Sequence, residues 1–124
     1  MNNTEAHEAL KAQILVRLSL EKNIRVWPSN TGAGMTRGGF FMRFGKKGSA
    51  DITGILYIEF KPGTKLGLRL EIEVKTGSAR QNKDQILFMN MIHSMGGIYY
   101  VARDVDSCVN YLLDKARELG PNSV

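Results

Sequence analysis

The sequence has few of the features that mark secreted or membrane proteins. It contains one cysteine, Cys108, so no disulfide can form within the chain, and we expect a reduced, cytoplasmic protein. The spacing of Cys108 from Val109 and Leu112 predicts a packed helix face. No signal-peptide pattern opens the chain, and no apolar run approaches the roughly 20 residues of a membrane span. We therefore expect a soluble protein that does not bind membranes.

Acidic residues are absent between Glu21 and Asp51, although the chain as a whole has a net charge of only +5. This window is rich in glycine and contains several phenylalanines. A basic, aromatic loop is typical of a segment that follows a phosphate backbone, because lysine and arginine release counterions from phosphates. A solvated loop with an accidental positive bias is the alternative. The candidate DNA contacts in the window are Arg37, Arg43, Lys46 and Lys47.

Hydrophobic periodicity and turn residues predict a single α/β domain. A chain of 124 residues with 43% hydrophobic content suffices for one core and is too short for two. The predicted order is αβββαβα, in which two strands form a hairpin and a glycine-rich loop precedes it. The predicted helices cover 4–21, 82–95 and 106–119, and the predicted strands cover 24–27, 50–60, 66–76 and 98–102.

The predicted hairpin brings charged residues together at one end of a sheet. In its second arm, Leu70, Ile72 and their apolar neighbours face one way, and the charged residues between them face the other. A turn centred on 62–64 places Asp51 opposite 74–76, and so within about 5 to 8 Å of Glu73 and Lys75. The alternative is an exposed ladder of charges on a sheet face, which contributes little stability.

Two acids and a lysine in this arrangement suit phosphodiester hydrolysis. Mg²⁺ is commonly held by one or two carboxylates together with substrate phosphate, and Asp51 and Glu73 supply such acids. The Val74 carbonyl could add a third ligand, and Lys75 could orient water or offset charge in the transition state. A second Glu-x-Lys, at 59–61, runs directly into the turn with no acid opposite it and is not favoured.

These residues resemble the VRR-nuc branch of the PD-(D/E)xK nuclease superfamily, over about residues 5 to 113. One departure is Ala50, which stands where the superfamily has proline before the aspartate. The matching features are Asn30, Gly32, the run Gly-Ser-Ala-Asp-Ile at 48–52, the run Glu-Val-Lys-Thr-Gly at 73–77, Arg80, Gln85 and Gly97.

The resemblance implies a fold and a set of site residues. The fold would be a nuclease core of order αβββαβ(α), with a mixed central sheet flanked by helices, spanning 1–124. Asp51, Glu73 and the Val74 carbonyl would bind Mg²⁺ or Mn²⁺, and Lys75 would be the catalytic lysine.

The resemblance extends to residues for which the sequence leaves an alternative open. Gln85 would be the family's glutamine, although a polar residue at the margin of a helix face is the alternative. The acid from the first helix would be Glu8, with Glu5 in reserve, and either could instead be a solvated glutamate. Arg80 would be a further DNA contact, whereas we expect His7 and His93 to be structural or surface residues.

The resemblance also implies a biological activity. Stand-alone members of this branch, from bacteria and their viruses, resemble Holliday-junction resolvases, which predicts a homodimer that cuts four-way DNA. A sequence-specific restriction-type nuclease and a non-catalytic nucleic-acid-binding module are the alternatives. The apolar residues of the basic loop could form the dimer interface or cover their own core; they are Met35, Phe40, Phe41, Met42 and Phe44.

Overall fold

The protein is described here by a computed structural model. It covers residues 3–29, 37–39 and 46–122, together with the backbone of 32–35 and 41–44. Within these residues, no helix combines the length and the apolar character that crossing a membrane requires.

Three helices and six strands form in the described part of the chain. Asn82 caps the second helix, since its side chain accepts a hydrogen bond from the Gln85 N–H, and Asp104 caps the third in the same way through Ser107. The elements are α1 (Asn3–Leu18), β1 (Ile24–Pro28), β2 (Gly32–Met35), β3 (Phe41–Phe44), β4 (Ile52–Lys61), β5 (Thr64–Val74), α2 (Lys83–Ser94), β6 (Ile98–Ala102) and α3 (Val105–Leu119).

The sequence predicted the three helices and four of these strands to within a few residues, and the predicted strand at 98–102 coincides with β6. The interpretation of 29–49 as a loop was wrong in part, because β2 and β3 pair there as a separate antiparallel hairpin. Glycine has a low strand propensity, so Gly32 and Gly34 gave no local signal for β2. The pairing of the two short strands is visible only in three dimensions.

The main sheet is mixed and has the strand order β1-β4-β5-β6. Strands β4 and β5 form the predicted antiparallel hairpin, and β6 lies parallel to β5. The hairpin closes through a two-residue turn, because Lys61 pairs with Thr64. An irregularity between Glu59 and Lys61 then shifts the register by one residue from the predicted one. Ile52 pairs with Ile72, so Asp51, directly before it, comes opposite Glu73 and not opposite 74–76.

Helices cover both faces of the sheet. Leu70, Ile72 and Val74 of β5 belong to the main core, together with buried residues of α1 and α3, among them Cys108 and Leu112. The predicted packing of Cys108 is confirmed, and burial raises the pKa of its thiol to about 12. On the other face, α2 packs over a smaller cluster of Ala50, Phe88, Ile92 and Tyr99. Glu71 and Glu73 alternate with the core residues of β5 and therefore face the side of α2.

Gly48 fixes the loop before β4 against the start of α2. It has a positive φ of 80°, and a Cβ atom at this position would overlap the backbone carbonyl of Asp84. Gly63 in the hairpin turn has a similar φ of 81° but has open space where its Cβ would lie. The two glycines thus share a backbone conformation and differ in their surroundings.

We expect Gly48→Ala to lower the free energy of unfolding by roughly 2 to 4 kcal/mol, because strain in the left-handed region adds to a steric overlap. Gly63→Ala should lower the free energy of unfolding by only about 1 to 2 kcal/mol, the cost of the backbone strain alone. Urea denaturation of the two variants measures the difference. An equal decrease in the free energy of unfolding for both variants would show that the close approach of Gly48 to Asp84 does not contribute to stability.

Candidate metal centre

Two carboxyl groups meet at the open end of the β4–β5 hairpin, opposite its turn. Asp51 precedes β4, and its Oδ2 accepts a hydrogen bond of 2.8 Å from the backbone N–H of Val74. Glu73 lies in β5 with only 3% of its surface exposed, and its Oε2 is buried without a hydrogen-bond partner among the described residues. A buried, unpartnered carboxyl oxygen is costly, which is typical of a group arranged for a ligand.

The two carboxyl groups have pKa values shifted in opposite directions. Burial, followed by the neighbouring Asp51 carboxylate, raises the pKa of Glu73 to about 9. Burial also acts to raise the pKa of Asp51, but the hydrogen bonds from Glu73 and from the Val74 N–H, with His7 nearby, outweigh it and lower that pKa. These opposite directions favour, near neutral pH and without metal, one shared proton that lies mainly on Glu73 and one negative charge that lies mainly on Asp51.

The burial of this face contradicts the alternative of an exposed charge ladder. Glu71 is 1% exposed and Glu73 is 3% exposed, whereas surface ion pairs have both partners in water. Burial raises the pKa of Glu71 as well, despite the neighbouring Thr53 hydroxyl and Arg69 guanidinium. The acids of β5 are therefore enclosed between the sheet and the side of α2.

The residue that α1 contributes to this site is His7. Its Nε2 lies 3.3 Å from Asp51 Oδ2, and one ligand atom each from His7, Asp51 and Glu73 lie within 4.8 Å of one another. We expected His7 to be a structural or surface residue, and the structure adds that it has a carboxylate partner, Asp51. A signal was present in the sequence, because His7 continues the helical spacing of Leu10, Ile14 and Leu18 and so faces the sheet.

Glu8, the predicted acid of the first helix, does not lie among the residues that line the site. Its side chain is 63% exposed, and its Oε1 is 3.4 Å from Nδ1 of His7, on the other side of the ring from Asp51. One residue along a helix turns the side chain by about 100°, which is why His7 reaches the site and Glu8 lies behind it. Glu5, the reserve, is exposed in the first turn of α1.

A cavity of about 370 Å³ surrounds these groups. Lys75 and Gln85 line it, so the predicted acids, lysine and glutamine share one site. Gln85 also has a structural task, since its Oε1 accepts a hydrogen bond of 2.9 Å from the Asn82 N–H at the start of α2. The full lining is Asn3, Thr4, His7, Asp51, Glu73, Val74, Lys75, Thr76, Ala79 and Gln85.

The loop after Lys75 is fixed by Arg103, which the sequence did not single out. Its guanidinium donates hydrogen bonds to the backbone carbonyls of Gly77 and Ala79, at 3.2 and 2.6 Å. Because these contacts connect the loop to the end of β6, they hold one wall of the cavity in place.

The predicted DNA contacts are only partly described. Arg37, Lys46, Lys47 and Arg80 are exposed, and Lys47 forms an ion pair of 3.4 Å with Asp84 of α2. The other members of the predicted basic and apolar loop lie outside the described residues, in whole or in their side chains; they are Met35, Phe40, Phe41, Met42, Arg43 and Phe44. Asn30, one of the residues on which the resemblance is based, also lies outside them.

The second Glu-x-Lys lies at the far end of the hairpin. Glu59 Oε1 accepts a hydrogen bond of 2.8 Å from the Gly63 N–H, and Lys61 Nζ lies 5.7 Å from the centre of the Phe60 ring. These contacts belong to the turn, and neither residue lines the cavity at Asp51.

No protein-family model matches this chain, and comparison with curated proteins finds none that is similar. The resemblance to the VRR-nuc branch therefore stays a prediction, and the case for a function depends on the geometry of the site.

Proposed function

We propose that this protein is a metal-dependent nuclease that hydrolyses phosphodiester bonds of DNA at Asp51, Glu73 and Lys75. One observation carries the proposal: two carboxyl groups and an imidazole offer ligand atoms within 4.8 Å of one another, in a cavity that Lys75 also lines. The buried Oε2 of Glu73 has no partner in the described part of the chain, which supports a cation as its missing partner.

The donor set fits a divalent ion. Asp51, Glu73 and His7 would hold it, and the Val74 carbonyl is a candidate for a further ligand. Such an ion would act as a Lewis acid toward the phosphate and lower the pKa of a water molecule. Manganese suits a mixed set of carboxylate and imidazole better than magnesium, which prefers oxygen ligands.

The surrounding residues of the chain orient these ligands and stabilise charge. The Val74 N–H fixes Asp51 in its ionised form, and Glu8 lies where it can orient the His7 ring from behind. Lys75, directly after β5, supplies a positive charge that would stabilise the negative charge that develops on a phosphoryl oxygen. Gln85 would contribute a hydrogen bond at the rim of the same cavity.

DNA is the proposed substrate because Lys75 lines the site and because the segment 22–50, directly before Asp51, contains basic residues and no acidic ones. Lys46, Lys47, Arg37 and Arg80 are exposed and would contact phosphates. A single site cuts one strand, so paired cuts in a four-way junction require two copies about a two-fold axis. We therefore include a cytoplasmic, junction-selective homodimer in the proposal, on the strength of size and resemblance.

A cleavage panel tests this function. Linear, flapped and four-way DNA is incubated with the protein and Mn²⁺ or Mg²⁺, and light scattering measures its oligomeric state. We expect metal-dependent cutting that EDTA stops, with the junction cut fastest by a dimer. DNA binding without cleavage of any substrate would favour the non-catalytic module, and cutting only at one short sequence would favour the restriction-type nuclease.

His7 leads to a separate prediction about the metal. We expect Mn²⁺ to raise the melting temperature more than Mg²⁺ at the same concentration, because imidazole binds manganese better and binding to the folded state stabilises it. In His7→Ala, the rise in melting temperature with Mn²⁺ should be closer to the rise with Mg²⁺ than it is in the wild type. His93→Ala is the matched control, since His93 is exposed on α2 and is not among the three clustered ligands. Equal shifts by both ions in all three proteins would exclude His7 as a ligand.

A further inference from the structure

A second and larger cavity, of about 590 Å³, opens on the same side of the sheet as the metal centre. Glu71 lines it, two residues before Glu73 on the same face of β5. Two residues of a strand span about 7 Å, so the two acids serve neighbouring cavities. Among the residues that line it, none also lines the metal centre.

Glu71 is a buried acid with one oxygen unsatisfied. It is 1% exposed, and its Oε1 accepts a hydrogen bond of 3.3 Å from Arg69 Nη2. Its Oε2 has no hydrogen-bond partner among the residues that the structure describes. The last side-chain bond of a glutamate rotates easily, so either carboxyl oxygen of Glu71 can accept a hydrogen bond from a ligand in the cavity. Glu71 has no role in the proposed cleavage reaction.

The walls and rim of the cavity differ in character. Phe88, Ile92 and Met91 of α2 form an apolar wall, whereas Lys46 and Arg69 add positive charge. Lys46 is exposed, and the Arg69 side chain is 61% exposed, so both cations can reach a ligand that extends into solvent. A ligand that suits this arrangement has a flat apolar body, a hydrogen-bond donor at its inner edge and negative charge outside.

We propose that this cavity binds one unstacked nucleobase of the DNA strand next to the scissile phosphate, and that Glu71 selects bases with an amino group. A base has an apolar face for the α2 wall, and the amino groups of cytosine, adenine and guanine can donate to the carboxyl, as carboxylates accept from cytosine N4. Thymine has no amino group. The flanking phosphates would meet Lys46 and Arg69. The proposal rests on DNA being the substrate and adds a base preference to it.

The test uses binding in Ca²⁺ buffer, where no cleavage is needed for a signal. A single-stranded oligonucleotide with one 2-aminopurine is titrated with the wild-type protein, and both fluorescence and anisotropy are read. Unstacking of the base should raise its fluorescence as the complex forms. Oligo(dC) should displace the labelled strand at about one tenth of the concentration that oligo(dT) requires. In Glu71→Met the two competitors should be equally effective. Methionine fills a similar volume without an acceptor, and Glu59→Gln at the turn is the control.

The outcomes separate this proposal from the catalytic one. Unchanged fluorescence in a complex that anisotropy detects, equal competition by the two oligonucleotides, or a ratio that survives Glu71→Met would each overturn the base site. Failure of the oligonucleotide to bind would overturn it too. A fluorescence rise and the oligo(dC) preference in a protein that cuts no DNA with Mn²⁺ would leave the base site supported and remove the nuclease.

Discussion

Asp51→Asn, Glu73→Gln and Lys75→Met are each expected to slow DNA cleavage about a hundredfold to a thousandfold, since removal of one preorganised charge-stabilising group commonly costs that much. The physical reason is that the three side chains share one cavity and would act on one phosphate. Rates are measured with Mn²⁺ under single-turnover conditions, together with DNA affinity in Ca²⁺ buffer. Affinity should change little, because the exposed basic residues lie on other parts of the chain.

The chain contains its own control for this experiment. Glu59→Gln and Lys61→Met make the same chemical changes in the Glu-x-Lys of the hairpin turn, outside the cavity. Both variants should cut DNA at the wild-type rate. If Glu73→Gln retained wild-type activity, or if the turn variants lost as much as the site variants, the site would be wrongly assigned.

Glu73→Gln is also expected to stabilise the metal-free protein, by roughly 1 to 3 kcal/mol at pH 7. Burial and the Asp51 carboxylate raise the pKa of Glu73 from its ordinary 4.5 to about 9. The unfolded chain therefore releases this proton at lower pH than the folded chain does, so stability from Glu73 is lost as the pH rises from about 4.5 to about 9. Glutamine has no proton to release and keeps a similar shape.

Urea denaturation in EDTA, at pH 5 and at pH 8, measures this effect. The advantage of Glu73→Gln over the wild type should be small at pH 5 and larger at pH 8. Glu59→Gln should show no such dependence. A variant that is more stable and yet inactive would show that lost activity does not reflect unfolding. A wild type more stable than Glu73→Gln at pH 8 without metal would contradict the description of this acid pair.

The part of the site that could be predicted lies within one hairpin. The alternation of apolar and charged residues from Leu70 to Lys75 gave the buried face of β5, and the Pro62-Gly63 turn brought Asp51 near Glu73. The residue opposite Asp51 could not be predicted, because an irregularity between Glu59 and Lys61, next to the turn, shifts the register by one residue. Register depends on turn geometry, which loop composition alone does not determine.

The part that could not be predicted depends on how separate elements pack. His7 and Asp51 are 44 residues apart, and only the docking of α1 on the sheet brings them within 3.3 Å. The helical spacing of the apolar residues indicated that His7 faces the sheet but not which strand end it reaches. The burial of Glu71 could not be predicted for a similar reason, since it requires α2 to cover that face. Local periodicity assigns a face, and tertiary packing decides what lies opposite it.

Titration with Mn²⁺, followed by electron paramagnetic resonance of the free ion, tests the central claim most directly. The wild-type protein should bind Mn²⁺ saturably, and the double variant Asp51→Asn/Glu73→Gln should lose that binding while Glu59→Gln retains it. Identical binding curves for the wild type and the double variant would contradict the account, because the two carboxyl groups would then not hold the ion on which the proposed chemistry depends.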